Sequence, residues 1–172
     1  MDTASERART GPLAALLAGL EAGMLGVLWM LAWLGVSAVW ERLSFWAPEN
    51  LMATAFYGAG ALRPGFTGRS VSGMALFLLL YSALGALFAL ALRARWTRLR
   101  TTLVGALFGL CWYYLSYRLI WKSAIPLAAL LHPERPTLIG HLIYGAVLGR
   151  FPAYQRSLAE TPSAPVSPEG RG

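Results

Sequence analysis

The chain has 172 residues, of which 56% are hydrophobic and 13% charged, whereas an average soluble domain has about 25% charged residues. This composition argues against a water-soluble globule, and it excludes a disordered chain, which lacks the apolar residues needed for a core. Cys111 is the single cysteine, which excludes a disulfide scaffold, and the net charge of +7 in so apolar a chain favours a membrane rather than a nucleic acid as partner.

The first predicted transmembrane helix covers residues 12–40, after a cytoplasmic N-terminal segment of residues 1–11. A helix needs about 20 mostly apolar residues to cross a bilayer, and this stretch has one charged residue, Glu21. Arg7 and Arg9 precede it as they would precede a secretory signal, but the apolar run is too long for one. We therefore expect an uncleaved, membrane-anchored helix.

Glu21 is the strongest candidate for a functional residue in this span. An ionised side chain deep in a bilayer is costly, so carboxylates within membrane segments tend to face the bundle interior and to be functional. Two interpretations stay open: Glu21 takes part in a proton-linked step, or it lies near the cytoplasmic interface, where the long first helix can place it.

Two short helices are predicted to lie at the membrane interface after the first and third spans. Pro48 and Pro126 suit the first turn of a helix, and the residues after each proline place apolar side chains on one face: Leu51, Met52, Ala55 and Phe56 in the first, and Leu127, Leu130 and Leu131 in the second. Tryptophan is enriched at both interfaces of a bilayer. The predicted interfacial anchors are Trp40, Trp46 and Trp121.

The second and third spans are predicted at residues 71–92 and 101–121. The short loop between them contains four cations, Arg93, Arg95, Arg98 and Arg100. Cytoplasmic loops carry an excess of Lys and Arg, so we place this loop in the cytoplasm, where it would contact anionic lipid headgroups. With an even number of spans, both termini are then cytoplasmic.

The fourth predicted span covers residues 137–154 and contains His141. This histidine could pair with Glu21 as a proton relay, since its charge changes near neutral pH. Alternatively, it is a neutral hydrogen-bonding residue that holds two helices together. The residues after it, 155–172, are rich in Pro, Ser and Gly and are predicted to form a disordered cytoplasmic tail.

Glycine pairs at a spacing of four recur in three of the four spans. Small residues let helix backbones approach closely in lipid, where burial of apolar surface gains little. The pairs favour packing within one bundle, with a dimer face as the alternative. They are Gly19 and Gly23, Gly105 and Gly109, and Gly145 and Gly149.

The two halves of the chain resemble each other. Each contains a predicted span, a Trp- and Pro-containing outer segment with an Arg-Pro pair, and a returning span. Such an arrangement is a parallel internal repeat. A duplicated helix pair and chance similarity between apolar sequences both account for the matches.

The predicted fold class is therefore all-α, a polytopic membrane bundle of four transmembrane helices (residues 12–154) with two short interfacial helices. The order of features resembles a diffuse group of uncharacterised four-helix bacterial inner-membrane proteins. The resemblance rests on the glycine pair of the first span, the Trp/Pro outer segment, the Gly/Trp third span, and the segment from Glu134 to Gly140 and His141. It implies a bacterial inner membrane and no known activity.

No catalytic constellation, metal site or cofactor site is predicted. Two histidines nine residues apart and one cysteine do not make a closed zinc site, and no serine or cysteine has a neighbouring base. The sequence favours a non-enzymatic membrane protein that acts through helix packing, as a homo-oligomer or an accessory subunit of a larger membrane complex. The alternative is a small proton-linked transporter or channel that uses Glu21 and His141.

Overall fold

The structure is a computed structural model that describes residues 12–92 and 97–160, with side chains described up to residue 155. The described part of the chain is helical and contains no strand. The α-helices are α1 (Pro12–Trp40), α2 (Ala47–Tyr57), α3 (Gly68–Ala91), α4 (Arg98–Leu115), α5 (Trp121–Ala124), α6 (Pro126–Leu131), α7 (Glu134–Leu148) and α8 (Phe151–Glu160). A 3₁₀ turn (Gly58–Ala61) follows α2, and a π-helical segment (Ser116–Ile120) joins α4 to α5.

Three helices are long and apolar enough to cross a membrane. They are α1, α3 and the continuous helical stretch Arg98–Ala124, with 29, 24 and 27 residues. They contain most of the first three predicted spans. The all-helical class and three helices of membrane-crossing length are thus confirmed, whereas the fourth span and the internal repeat stay predictions.

The fourth predicted span, residues 137–154, is not one helix. Helix α7 has 15 residues and ends at Leu148, and α8 begins at Phe151 after a turn. Pro152 explains the break, because a proline inside a continuous helix lacks a backbone N–H and clashes with the carbonyl four residues earlier, here that of Leu148. The same proline is tolerated in the first turn of α8.

The predicted disordered tail, residues 155–172, begins too early in the chain. Residues 155–160 are helical, as the last part of α8, rather than disordered. Helix α8 packs against α1, and Phe151 is buried with its ring 5.9 Å from that of Phe88. This aromatic contact stabilises the helical form of the segment. Residues 161–172 and the N-terminal segment 1–11 lie outside the described residues.

The four longest helices alternate in direction. Gly19 and Gly23 of α1 face Gly85 and its neighbours on α3, and α4 packs against α7 in the same antiparallel manner. Helix α1 also packs against α7, and the Trp33 indole N–H donates a hydrogen bond to the Pro136 carbonyl at 2.9 Å. Helix α1 therefore contacts α3 and α7 and, near its first residues, α8.

One end of the bundle, which we call the capped end, carries α2, α5 and α6. Helix α2 packs against α3, and its buried residues are Glu49, Asn50, Met52, Ala53 and Thr54. Of the predicted apolar face, Met52 is buried and Leu51 partly buried, whereas Ala55 and Phe56 are exposed. The face of α2 that contacts the bundle is therefore rotated toward Glu49 and Asn50. A helix that packs on a bundle can turn polar side chains inward when hydrogen-bond partners lie on that side. The Asn50 amide has such partners in the carbonyls of Arg63 and Gly65.

Candidate functional site

A hydrogen-bonded histidine lies at the centre of the bundle. His141 of α7 is 1% exposed; its Nδ1 lies 2.7 Å from the Thr137 carbonyl and its Nε2 lies 2.7 Å from the Tyr81 hydroxyl of α3. A carbonyl oxygen only accepts, so Nδ1 carries a proton, and in the neutral ring Nε2 accepts from Tyr81. The Tyr144 hydroxyl donates in turn to the Tyr81 carbonyl at 2.7 Å. These bonds join α3 to α7.

Two tyrosines connect this histidine to a second one near the capped end. The rings of Tyr113 and Tyr117 lie 5.3 Å and 6.0 Å from that of His141. On their other side, His132 stacks on Tyr117 at 3.9 Å between ring centroids. Both histidines therefore contact the same pair of tyrosines.

The π-helical segment sets the position of Tyr117. A π turn adds one residue to the hydrogen-bonded ring of a helix, which rotates the following side chains, and such turns occur frequently at functional sites. Here Tyr117 is buried while the adjacent Arg118 is exposed. The predicted third span treats these residues as regular helix, because the π turn has no clear signal in residue type.

Two cavities meet at Tyr117 and His132, which line both of them. The first, which we call the cationic cavity, has a volume of about 430 Å³. The second, which we call the apolar cavity, has a volume of about 300 Å³ and lies beneath α2. The cationic cavity is lined by Tyr113, Tyr114, Tyr117, Arg118, Lys122, Ala129, His132, Glu134, Arg135, Leu138 and Ile139. Leu34, Ala38, Leu51, Met52, Phe77 and Leu131 supply much of the apolar lining of the second.

The surroundings of His132 favour the neutral form of its ring. Partial burial lowers the pKa of its ring below the usual 6.5, because desolvation disfavours the charged form. Its Nδ1 lies 2.9 Å from the Ala129 carbonyl and therefore donates to that oxygen. Nε2 of the neutral ring is left as a hydrogen-bond acceptor. His132 is not among the predicted site residues, since it lies in a Pro- and charge-rich segment of the sequence.

A second polar cluster lies under α2. The Asn50 amide donates to the carbonyls of Arg63 and Gly65 at 2.8 Å and 3.1 Å, and the Ser70 hydroxyl donates to the Asn50 Oδ1 at 2.6 Å. These bonds fix the connection between α2 and α3. They also explain why α2 turns this face inward.

Glu49 is the exception in this otherwise paired cluster. It is 1% exposed, and its Oε2 has no hydrogen-bond partner. Burial raises the pKa of this carboxyl from 4.5 to about 7. Its helix approaches α3 closely, since a side chain at Gly73 would overlap the Glu49 carbonyl oxygen. Glu49 is not among the predicted site residues, because a glutamate in the first turn of a short helix is ordinarily solvated.

The structure does not bring Glu21 and His141 together. Gly26 of α1 faces Tyr144, and Met30 contacts Gly140, so His141 lies level with about residue 29 or 30 of α1. At a rise of 1.5 Å per residue, Glu21 is roughly 12–13 Å further along the bundle. Among the described residues no hydrogen bond joins the two. His141 instead matches the alternative in which a neutral histidine holds two helices together.

All six predicted packing glycines lie at helix contacts inside the bundle. Side chains at Gly105, Gly109 and Gly145 would overlap backbone carbonyl oxygens of the facing helix, in α7 or α4. A Cβ at Gly149 would lie 2.5 Å from the Thr102 Cα. The second glycine seam lies between α1 and α3. There a Cβ at Gly19 would lie 2.6 Å from the Gly85 carbonyl oxygen, and a Cβ at Gly23 would lie 2.7 Å from the Tyr81 carbonyl oxygen.

The predicted tryptophan anchors differ from one another in exposure. Trp40 is 87% exposed, whereas Trp121 is 6% exposed and packs its ring 6.4 Å from that of Tyr117. Trp121 is therefore a core residue and not an interfacial anchor, because the helical turn after the π-helical segment directs it inward. Trp46 is half-buried, with its ring 4.7 Å from that of Phe66.

Of the four arginines predicted to contact anionic lipid, two can be placed. Arg98 and Arg100 are exposed in the first turn of α4, at the end of the bundle opposite the capped end. Arg93 and Arg95 lie outside the described residues. The lipid contact of this loop stays a prediction.

The described residues contain no group of three or more His, Cys, Asp and Glu side chains that could hold a metal ion. Comparison with family models, with curated proteins and with solved structures gave no match. The geometry of the chain itself is therefore the basis for the function proposed below.

Proposed function

We propose that the chain is a non-enzymatic, multi-pass membrane protein with four membrane-crossing segments that acts through helix packing. In this proposal it works as a homo-oligomer or as an accessory subunit of a larger complex in the bacterial cytoplasmic membrane. The observation that carries the proposal is the closed bundle interior. Both ring nitrogens of His141 are occupied by bonds between and within helices, and the glycine seams bring backbones into contact.

The proposal includes α7 as the fourth crossing segment. Its 15 residues span roughly 22 Å at 1.5 Å per residue, which is short for about 30 Å of hydrocarbon. A short segment can cross by local thinning of the bilayer and by snorkelling of flanking charges. Arg150 is exposed just after the helix and can extend in this way. Close contact of α7 with α1 and α4 supports its crossing with them.

The proposed orientation puts the capped end outside and both termini in the cytoplasm. Arg98, Arg100 and Arg150 are exposed at the opposite end. Because the connection between α3 and α4 is short and arginine-rich, it is the kind of loop for which the positive-inside rule holds best. The capped end also carries cations, namely Arg42, Arg63, Arg69, Arg118, Lys122 and Arg135, so the proposed orientation rests mainly on this short loop.

The glycine seams are contacts between helices of the same chain. Association with another chain would therefore use the outward-facing surfaces of the helices. Cys111 provides a native probe of that surface, since it is exposed on α4. The test combines mass analysis in mild detergent with thiol cross-linking through Cys111 in native membranes, with Cys111→Ser as the control. The proposal predicts a second copy or a co-purified partner. An isolated monomer in both measurements would contradict it.

A proton relay through Glu21 and His141 has less support. The two residues are separated along the bundle, and Tyr81 already donates to His141. If the chain were nevertheless such a transporter, Glu21→Gln and His141→Ala would each reduce proton flux in vesicles. Flux at the wild-type level in both variants would remove this alternative.

A further inference from the structure

The cationic cavity gathers like charges from separate elements of the capped end. Arg118 belongs to the π-helical segment, Lys122 to α5 and Arg135 to α7. Like charges held around one concavity repel each other, and water between them screens this repulsion only in part. A site of this composition has a net attraction for anions.

This charge is not balanced within the described residues. Glu134 is the carboxylate of the lining, and no ion pair joins it to any of the three cations. The lining therefore keeps two more positive than negative charges. Arginine and lysine side chains without a carboxylate partner are the groups that proteins use to bind phosphate.

The cavity also supplies neutral hydrogen-bonding groups. The hydroxyls of Tyr113, Tyr114 and Tyr117 have no hydrogen-bond partner among the described residues. A hydroxyl can donate to a phosphate oxygen. The arrangement thus offers neutral donors beside cations, on a framework that the π-helical segment and the stacked His132 hold in place.

One side of the cavity is apolar. Leu138 and Ile139 of α7 line it, and Ile139 is 40% exposed. Both lie in the first turns of α7, close to the capped end, where the proposed membrane placement puts the headgroup region. A molecule with a phosphate group and an apolar part can contact both kinds of lining at once.

We propose that the cationic cavity binds a phosphate-bearing anion, with Arg118, Lys122 and Arg135 as its charged ligands. The same chemistry has two sources, the headgroup of an anionic membrane lipid and a free phosphate compound. Binding itself does not depend on the mode of association proposed above, so the failure of either proposal leaves the other standing.

The test measures binding of short-chain phosphatidylglycerol to the purified full chain in non-ionic detergent by native mass spectrometry, with phosphatidylcholine as the neutral-lipid comparison. The double variant Arg118→Gln/Arg135→Gln removes two cations of the cavity. Each cation near an anionic headgroup contributes about 1 kcal/mol, and a tenfold change in affinity corresponds to about 1.4 kcal/mol. We therefore expect the double variant to bind phosphatidylglycerol about tenfold or more weakly. The charge-preserving variant Arg118→Lys/Arg135→Lys is expected to keep most of the affinity.

A matched control removes the same charge from the same end of the molecule. Arg42 and Arg63 are exposed at the capped end but do not line the cavity. Arg42→Gln/Arg63→Gln is expected to change the affinity by less than about twofold, since general attraction alone is lost. An equal loss in both pairs, or no loss in the cavity pair, would overturn the proposal. The thermal stability of each variant in detergent verifies that it is folded.

Competition by inorganic phosphate distinguishes the two sources. If millimolar phosphate displaces phosphatidylglycerol from the wild-type chain, the cavity recognises the free anion. If phosphate does not compete while the cavity variant still loses the lipid, the ligand is the lipid headgroup together with its apolar part. Binding of phosphatidylcholine as tight as that of phosphatidylglycerol would contradict the proposal in either case.

Discussion

At the scale of single residues, Glu49 is a buried carboxyl group whose charge has no partner among the described residues. It is buried with one carboxylate oxygen unpaired, so folding favours its protonated form. The pKa in the folded chain, about 7, exceeds the ordinary value of 4.5. A group with a raised pKa contributes its full stability below pH 4.5 and loses it as the pH rises through 7.

We predict that Glu49→Gln removes this pH dependence. The wild-type chain should lose stability between about pH 4.5 and pH 7, by an amount on the order of 2–3 kcal/mol. The glutamine variant should change little over that range and be more stable than wild type at pH 8. Unfolding in detergent, followed by circular dichroism as a function of pH, measures both. Glu41→Gln, at an exposed position, is the control and should follow wild type.

The Tyr81–His141 hydrogen bond gives a second prediction at this scale. Tyr81→Phe removes the donor and leaves the buried Nε2 of His141 unpaired. Hydrogen bonds between membrane helices contribute about 0.6 kcal/mol on average and up to about 1.7. Because this site is fully buried, we expect a loss near the upper value. Tyr114→Phe, at an exposed tyrosine without a hydrogen-bond partner in the described part of the chain, should lose less than about 0.5 kcal/mol.

The sequence singles out His141 as a polar residue in an apolar segment, and one of the two predicted alternatives was a hydrogen bond between helices, such as the one His141 makes with Tyr81. The sequence alone could not identify this partner, because Tyr81 lies 60 residues away on another helix. Glu49 was missed for a related reason. Whether a glutamate near a helix start is solvated or buried depends on what packs above it, and that is decided by the fold of the α2–α3 connection.

At the scale of helices, the glycine seam between α4 and α7 holds the second antiparallel pair together. We predict that Gly145→Ala destabilises the chain by roughly 1–3 kcal/mol, the usual cost of overpacking. Its new methyl group would overlap the Gly105 carbonyl oxygen. Gly68→Ala is the matched control, since nothing lies within 4 Å of a side chain there, and it should be neutral or stabilising. Detergent unfolding curves of the two variants decide; equal stability would contradict the importance of the seam.

The helices themselves were largely predictable, whereas their faces and local turns were not. Long apolar runs predicted α1, α3 and α4, and the prolines at 48 and 126 predicted α2 and α6. The inward polar face of α2 depends on the Asn50 contacts, and the burial of Tyr117 involves His132 and His141, which lie outside its own helix. Neither is a property of local sequence. The break at Pro152 was visible in the sequence but was not used.

At the scale of the whole molecule, the composition predicted a membrane-compatible helical bundle, and the structure has three helices of crossing length. The number of crossings depends on α7, whose length alone does not decide whether it spans. Helix α7 packs antiparallel to α4, with Gly145 facing Gly105 and Gly149 facing Thr102. The two helices therefore run side by side over this stretch. This contact is the reason why the proposed arrangement includes α7 as a fourth crossing.

The most direct measurement compares the segment after α7 with the capped end and with the connection between α3 and α4, relative to the membrane. Single cysteines are introduced at Ala59, Thr97 and Ala153 in a Cys111→Ala background, and intact cells are treated with a membrane-impermeant maleimide. All three positions are exposed. The account predicts labelling of the Ala59 position in intact cells, and labelling of the other two only after the membrane is permeabilised. If the Ala153 position is labelled together with that of Ala59 in intact cells, α7 does not cross and the four-crossing arrangement is wrong.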